Sequence, residues 1–370
     1  MKLIRATQDD EPLLTEFFEQ SILPGQIELR LKRPQGFFKQ YEMQSKDFVT
    51  YMLLDKKDEI CALATIVFRQ GWIHGEPQTI GYATDLRVSP TRSAVLHWSQ
   101  HFLPALEQER AIHNCKYVFS VVARGQRQAF NAFIRPRSPK RQMPRYYSFR
   151  SFQAIMLHGL YPLASPPLKT IETRKAREMD REALCDYIFR KKQIKPYYFA
   201  NSPEMVSQQI DAWPNLKLED FWVAFDYQSN VVGCLAPWHS KETQQWVPAA
   251  FHRKGKSLQE SLQLASYLRL AHRFGQLHQP LDFFFLTHLF ADNPDIFYSL
   301  LWHAFKETTI NQFLTYTHFE KDLMTTPPRG FIHSGAGANL YSILSPNEPP
   351  PELLRPTFHR TQPDFELAFI

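Results

Sequence analysis

The sequence predicts an α+β fold made of two consecutive units, each a twisted mixed β-sheet flanked by helices. The order of strand-like and helix-like segments in the first 160 residues begins again after a proline-rich stretch, as expected of a duplicated fold. The chain has 370 residues, whereas a compact domain usually holds about 100–200. Hydrophobic residues make up 44% of the chain and include 30 Phe, 15 Tyr and 7 Trp, enough for a core in each unit.

The first unit alternates strands with helices. Residues 2–6 have strand-like alternation, and Asp9 or Asp10 can cap the amphipathic helix that follows. Two apolar runs flank the charged turn 55–59 and predict a hairpin. The other predicted elements are strands at 79–88, 117–122 and 146–157 and helices at 93–110 and 126–134.

A linker separates the two units. Residues 161–167 contain Pro162, Pro166 and Pro167 and break both periodicities. We therefore expect a first domain at 1–160, a linker at 161–168 and a second domain at 169–370. In the second domain the predicted strands are 170–174, 221–225, 231–235, 245–251, 281–289, 311–319 and 339–344, and the predicted helices are 180–190, 257–274 and 294–305.

Composition argues against several classes of protein. The four cysteines lie far apart, without the close spacing of a zinc site, and His97 and His101 lack the glutamate of a metalloprotease helix, so we expect no metal. No window holds the roughly 18 apolar residues of a membrane span. A cytoplasmic location is the expected default. The net charge of +6 suits an anionic ligand of unspecified kind.

Residues 85–90 end one predicted strand and lead directly into a predicted helix. Such a turn presents free backbone N–H groups, which bind phosphate-bearing ligands. The segment resembles the GNAT superfamily of N-acetyltransferases, whose fourth strand ends in an acidic-apolar-x-Val-x-Pro pattern. Asp85, Leu86, Val88 and Pro90 match that pattern, although an ordinary strand end is the alternative. The resemblance implies two tandem acyl-CoA N-acyltransferase-like domains.

The resemblance also implies a loop that holds the pyrophosphate of acetyl-CoA at the start of the next helix. The first domain lacks the family's glycines there, and Ser93 and Ala94 are the smallest substitutes. In the second domain Gly255 has the spacing of such a loop, although a solvated basic loop is the alternative. The cofactor-binding candidates are Leu86, Val88, Arg92, Ser93, Ala94 and Val95 in the first domain and Arg253, Lys254, Gly255, Lys256 and Ser257 in the second.

Acyl transfer to an amine needs a base for the amine and an acid for the leaving thiolate. By the resemblance, Asp85 and Tyr82 are the nearest catalytic candidates in the first domain, and Tyr298 is the candidate in the second. The family's tyrosine position falls on Phe133 in one domain and on Leu300 in the other. Core packing is the favoured alternative for Tyr298.

The resemblance therefore implies transfer of an acetyl group from acetyl-CoA, the acyl donor, to the amine of a small molecule or peptide. The first domain is the preferred working half because its strand end matches better. Because the tyrosine and most loop glycines are missing, the alternative is a catalytically degenerate GNAT-fold protein that binds an anionic, peptide or nucleic-acid partner. The basic stretch 135–147 can contact nucleic-acid phosphates, but an exposed loop is the favoured interpretation.

Overall fold

The structure is a computed structural model that describes residues 1–125, 144–351 and 362–370. Its strands are β1 (Lys2–Arg5), β2 (Ile22–Leu23), β3 (Ile27–Lys32), β4 (Phe48–Leu54), β5 (Ile60–Ile73), β6 (Glu76–Val88), β7 (Tyr117–Ala123), β8 (Arg145–Leu160), β9 (Glu172–Lys175), β10 (Trp222–Phe225), β11 (Val231–Trp238), β12 (Gln245–Phe251), β13 (Phe283–Ala291), β14 (Phe313–Phe319) and β15 (Phe331–Leu344). Its α-helices are α1 (Glu11–Gln20), α2 (Lys39–Glu42), α3 (Arg92–Ile112), α4 (Arg181–Gln193), α5 (Pro203–Ala212), α6 (Arg253–Tyr267) and α7 (Pro294–Lys306).

Twelve strands of the described residues form one continuous sheet in the order β1-β4-β5-β6-β7-β15-β8-β14-β13-β11-β10-β9. The outer five strands on each side repeat one arrangement, with a helix between the fourth and fifth strand of each set. The two central strands are exchanged between the halves. β8, from the end of the first half, pairs with β14 of the second, and β15, from the second half, pairs with β7 of the first.

Each half contains one parallel pair of strands, and each pair separates early. β6 and β7 are paired only where Ile80–Tyr82 meets Tyr117–Phe119. β13 and β14 are paired only where Phe283–Phe285 meets Phe313–Thr315. Beyond these short pairings the carboxyl-terminal parts of the strands diverge. We call the opening between β6 and β7 the first split and the opening between β13 and β14 the second split.

Helices cover both faces of the sheet because each carries an apolar stripe at helical spacing. Trp98, Phe102 and Leu106 of α3 are buried against Ala83 of β6 and Val118 of β7. On the opposite face, α1 buries its own apolar residues against β4 and β5. In the second half α7 packs on the sheet in the same way as α3, through Ile296, Phe297, Leu300 and Leu301.

The predicted strand at 245–251 exists, but it does not belong to the large sheet. As β12 it forms a separate three-stranded sheet in the order β12-β3-β2. β12 is an edge strand there, which suits Pro248 because proline has no N–H to donate to a second neighbour. In the large sheet β13 occupies the position expected for 245–251, next to β11.

Some predicted segments lie outside the described residues, and one helix of the structure was not predicted. The predicted helix at 126–134 and most of the basic stretch 135–147 lie outside the described residues. α5 was not predicted. Its amphipathic pattern is only ten residues long, and the predicted elements leave the segment between 190 and 221 unassigned. The predicted domain boundaries at 160 and 169 stay a prediction, and the exchange of β8 and β15 places hydrogen-bonded pairing across them.

Candidate functional site

Both halves have a β-bulge at the same point of the equivalent strand. In β6, Asp85 and Leu86 lie opposite a single residue of β5, and Asp85 has a φ of +54°. In β13, His288 and Leu289 lie opposite a single residue of β11, and His288 has a φ of +50°. Non-glycine residues adopt such left-handed angles rarely, mostly where the surrounding structure enforces them. Each bulge therefore interrupts the regular ladder beside one split.

Asp85 is held in a buried ionic network. Its carboxylate accepts a hydrogen bond from Arg33 Nη2 at 2.5 Å and from Tyr41 Oη at 2.8 Å, and Arg87 Nη2 lies 3.4 Å away. Burial alone would raise the pKa of Asp85, but the guanidinium charges of Arg33 and Arg87 and the bond from Tyr41 hold it below its ordinary value. A lowered pKa makes a carboxylate a weaker base, and the bonds from Arg33 and Tyr41 hold Asp85 in place at the bulge.

Tyr82 lies at the beginning of the first split and lines a small cavity together with Gly81 of β6 and Phe119 of β7. Burial raises its pKa, so the phenol stays protonated at neutral pH. A neutral phenol beside the split has the chemistry of a proton donor.

A larger cavity of about 250 Å³ adjoins the first one. We call it the central cavity. Residues from both halves and from the segment 362–370 line it, among them Arg69, Lys192, His288, Asp364 and Glu366. Arg69, Asp364 and Glu366 line the smaller cavity as well, so they connect the central cavity with the first split.

The charges around the central cavity are mixed. Lys192 Nζ lies 2.8 Å from a carboxylate oxygen of Asp364, and Lys195 Nζ lies 3.9 Å from the other. Burial alone would raise the pKa of Asp364, but these two ammonium groups hold it below its ordinary value. The backbone N–H of His288, at the second bulge, donates to Glu366 Oε1 at 3.2 Å. Burial raises the pKa of Glu366 above its ordinary value, so this carboxylate has a higher proton affinity than Asp85 or Asp364.

The first turns of α3 and α7 differ in their ability to bind an anion. At α3, Thr91 Oγ1 accepts the N–H of Ala94, and the first turn has no acidic residue. Helix geometry leaves the N–H groups of Arg92 and Ser93 without an intrahelical acceptor. The start of α3, at the carboxyl end of β6, therefore combines free N–H donors, a positive dipole end and a cationic side chain.

At the start of α7 the backbone N–H groups already have a hydrogen-bond acceptor, and the first turn carries a negative charge. Asn293 Oδ1 accepts the N–H groups of Asp295 and Ile296 at 3.0 and 2.9 Å, and Pro294 has no N–H. The carboxylate of Asp295 lies in the same turn. A phosphate would meet electrostatic repulsion and few free donors, so the first half suits a pyrophosphate better than the second.

The structure places the other candidates away from the first split. Gly255 is buried, and a Cβ at this position would lie 2.3 Å from the carbonyl oxygen of Gln26. Its lack of a side chain lets α6 pack against the turn before β3, in the small sheet. The residues on either side of it, Arg253, Lys254, Lys256 and Ser257, are exposed at the start of α6. Tyr298 Oη donates to the carbonyl of Ser165 at 2.6 Å, so this hydroxyl holds the linker, in keeping with the packing alternative.

Sequence reasoning missed the residues around the central cavity. Arg69, Lys192 and Glu366 come from distant parts of the chain, and no local motif marks them. A signal for the second bulge was present, because Thr84-Asp85-Leu86 and Thr287-His288-Leu289 share a Thr-x-Leu pattern at the two bulges.

Comparisons with known proteins bear on the fold. No protein-family model matches the sequence, and no curated protein does. Among solved structures, a GCN5-related N-acetyltransferase from Sphaerobacter thermophilus is 11% identical with a TM-score of 0.52, covering 94% of this chain and 96% of that one. N-myristoyltransferase from Saccharomyces cerevisiae, solved with myristoyl-CoA and inhibitors, is 9% identical with a TM-score of 0.51, covering 92% and 79%.

A glucosamine N-acetyltransferase region of a fungal multi-domain β-N-acetylglucosaminidase is 11% identical with a TM-score of 0.52, over 93% of this chain and 38% of that one. Identities this low establish the fold alone. In the part of the chain that the structure describes, no helix combines the length and apolar character needed to cross a membrane. The matches extend over nearly the whole chain, and the predicted resemblance is confirmed at the level of architecture: the protein has the fold of the GCN5-related N-acetyltransferases.

Proposed function

We propose that this protein is an N-acyltransferase that moves an acyl group from acyl-CoA to an amine, with the first half as the donor-binding half. The observation that carries the proposal is the first split, which opens at the carboxyl end of β6 beside the acid-free first turn of α3. The second half offers a split as well, but its helix start is capped by Asn293 and carries Asp295.

The donor would lie along the first split. Its pyrophosphate fits the N–H groups and side chains of Arg92 and Ser93, where the helix dipole favours negative charge. Its pantetheine arm fits between β6 and β7, where divergence leaves backbone groups without a partner strand. The bulge at Asp85 and Leu86 would direct the backbone toward the thioester carbonyl. Acetyl-CoA is the simplest donor that meets these requirements.

Two side chains that line one cavity are placed for the proton transfers that the reaction requires. The amine nitrogen attacks the thioester carbon, a C–N bond forms and the C–S bond breaks. The amine proton passes to Glu366, whose raised pKa makes it the strongest carboxylate base of the cavity. The leaving thiolate takes the proton of the Tyr82 phenol, which lines the same cavity. Asp85, fixed by two arginines, takes no part in proton transfer.

A single charge at the start of α3 tests the donor site. Ser93→Asp introduces a carboxylate at an exposed position where acidic residues stabilise a helix, so folding should be unaffected. We expect acetyl-CoA binding, measured by calorimetry and by thermal stabilisation, to weaken at least about tenfold. Lys254→Asp, at the equivalent exposed position of α6, is the matched control and should leave the affinity unchanged.

The opposite pattern, with Lys254→Asp abolishing binding, would move the donor site to α6. If millimolar acetyl-CoA, octanoyl-CoA and myristoyl-CoA all fail to bind or stabilise the wild-type protein, the non-catalytic binding protein becomes the better account.

A further inference from the structure

The side chain of Arg69 is a cation on the wall of the central cavity. Its guanidinium lies over the ring of Phe199, 3.9 Å from the centroid, and 5.1 Å from that of Phe369. Among residues 1–125, 144–351 and 362–370, no carboxylate lies within 4 Å of this guanidinium and no side chain or backbone group hydrogen-bonds to it. Enclosure by two aromatic rings favours a guanidinium that binds a planar anion edge-on.

Asp364 and Glu366 act on Arg69 electrostatically from beyond 4 Å, and their direct contacts are with other groups. Asp364 is held by Lys192 and Lys195, and Glu366 accepts the N–H of His288. Lys192 and Lys195 surround Asp364, and Asp322 also acts on Lys195, so these lysines do not leave a carboxylate in direct contact with Arg69. Burial lowers the pKa of His288 to about 3, so this imidazole adds no charge at neutral pH. An anionic group entering the cavity would give Arg69 the direct ion pair that it lacks among the described residues.

Arg69 is also placed to act on the reaction at the first split. It lies on β5 directly opposite Ile80 of β6, and Ile80 begins the short pairing with β7. Side chains of such cross-strand neighbours project from the same face. The side chain lines both the cavity that contains Tyr82 and the central cavity. A molecule held by Arg69 therefore has its other end within the space shared with the split.

We propose that Arg69 binds the carboxylate of the acceptor. The natural acceptors are then small molecules that carry both an amine and a carboxylate. The central cavity of about 250 Å³ suits a small molecule of this kind. Arginine pairs with carboxylates through two parallel N–H donors, which fixes orientation as well as position. The carboxylate end rests on Arg69 and the amine end points to the thioester. This inference rests on the proposed acyl transfer.

Matched acceptors test the proposal in the full-length protein with acetyl-CoA. β-Alanine and 6-aminohexanoate carry a carboxylate. In their matched analogues, β-alaninamide and 6-aminohexanamide, an amide replaces that carboxylate and the rest of the molecule is unchanged. We expect at least one amino acid of these pairs to be acylated in preference to its amide. In Arg69→Gln, the KM for the amino acid should rise about tenfold to a hundredfold, the amide should be unaffected, and kcat should change little. Arg190→Gln removes an exposed arginine of α4 and is the matched control.

A binding measurement that needs no activity separates this inference from the proposed function. Propionate, but not propionamide, should raise the thermal midpoint of the wild-type protein, and Arg69→Gln should abolish the effect without lowering the midpoint of the ligand-free protein. If acetyl-CoA does not bind while propionate still does so through Arg69, the donor proposal fails and the carboxylate site stands. If acetyl-CoA binds but amides serve as well as amino acids and Arg69→Gln changes neither KM, the carboxylate site is wrong and acyl transfer stands.

Discussion

At the scale of single residues, the ion pair of Asp85 and Arg33 shows how the bulge is maintained. The two side chains are 7% and 1% exposed, and Arg33 also lies over the ring of Phe18. Removing one member of a buried pair leaves the other charge uncompensated. We expect Asp85→Asn to lower the free energy of unfolding by about 3–5 kcal/mol in urea denaturation. Glu42→Gln, which breaks the exposed pair with Lys39, should cost less than about 1 kcal/mol.

The contribution of Asp85 should also depend on pH. Its folded-state pKa lies below the ordinary value of 3.8, so the stabilisation is fully present above about pH 4. It is lost as the pH falls through the folded-state pKa, because the unfolded chain then binds a proton that the folded chain excludes. The stability difference between wild type and Asp85→Asn should therefore shrink at low pH. A difference that stays constant down to pH 2 would contradict the assignment of the charge to this network.

Glu366 gives a second prediction at this scale. As a general base it must be ionised, so kcat should increase as the pH rises through its pKa, which lies above the ordinary 4.5. Glu366→Gln keeps an oxygen that can accept the N–H of His288, so the cavity should retain its shape. We expect kcat to fall about 10²–10⁴-fold and the rising limb of the pH profile to disappear. Asp364→Asn removes a negative charge that raises the pKa of Glu366, so it should keep the rising limb but move it to lower pH. Unchanged kcat in Glu366→Gln would exclude Glu366 as the base.

At the scale of elements, the sequence predicts most strands and helices well but does not predict all their partners. The apolar spacing of α3 and α7 and the dense apolar run of β13 are local properties, and the structure confirms these elements. Strand pairing is decided by contacts across the whole chain. β12 has a strand-like pattern equal to that of the others, yet it pairs with β3, which lies more than 200 residues earlier.

The candidate site likewise has one part that the sequence predicts and another that depends on contacts between distant residues. The strand end and the start of α3 form a contiguous motif, so they could be proposed from the sequence. The ion pair of Asp85 could not be predicted from the sequence. Its partner Arg33 lies 52 residues earlier, and nothing near Asp85 in the sequence shows that the carboxylate is paired. Arg69 and Glu366 are almost 300 residues apart and meet only through folding. Glycine spacing was also ambiguous, since Gly255 serves close packing against Gln26.

At the scale of the whole molecule, the exchange of β8 and β15 joins the two halves into one folding unit. β15 pairs with β8 along its whole length, from Phe331 opposite Leu160 to Leu344 opposite Arg145, and with β7 on its other side. A fragment 1–168 would lack β15 and would expose two long strand edges that neighbouring chains can pair with. A fragment 169–370 would lack β8 and would expose β14 and β15.

We therefore expect neither fragment to fold alone and the intact chain to unfold in one cooperative transition by calorimetry. Each fragment should be aggregated or lack a thermal transition, whereas co-expression of the two should give a soluble complex that binds acetyl-CoA as the intact chain does. This differs from a protein with two independent domains, for which each fragment would show its own transition and the first would bind the donor unaided. A folded, donor-binding fragment 1–168 would show that the exchanged strands are dispensable.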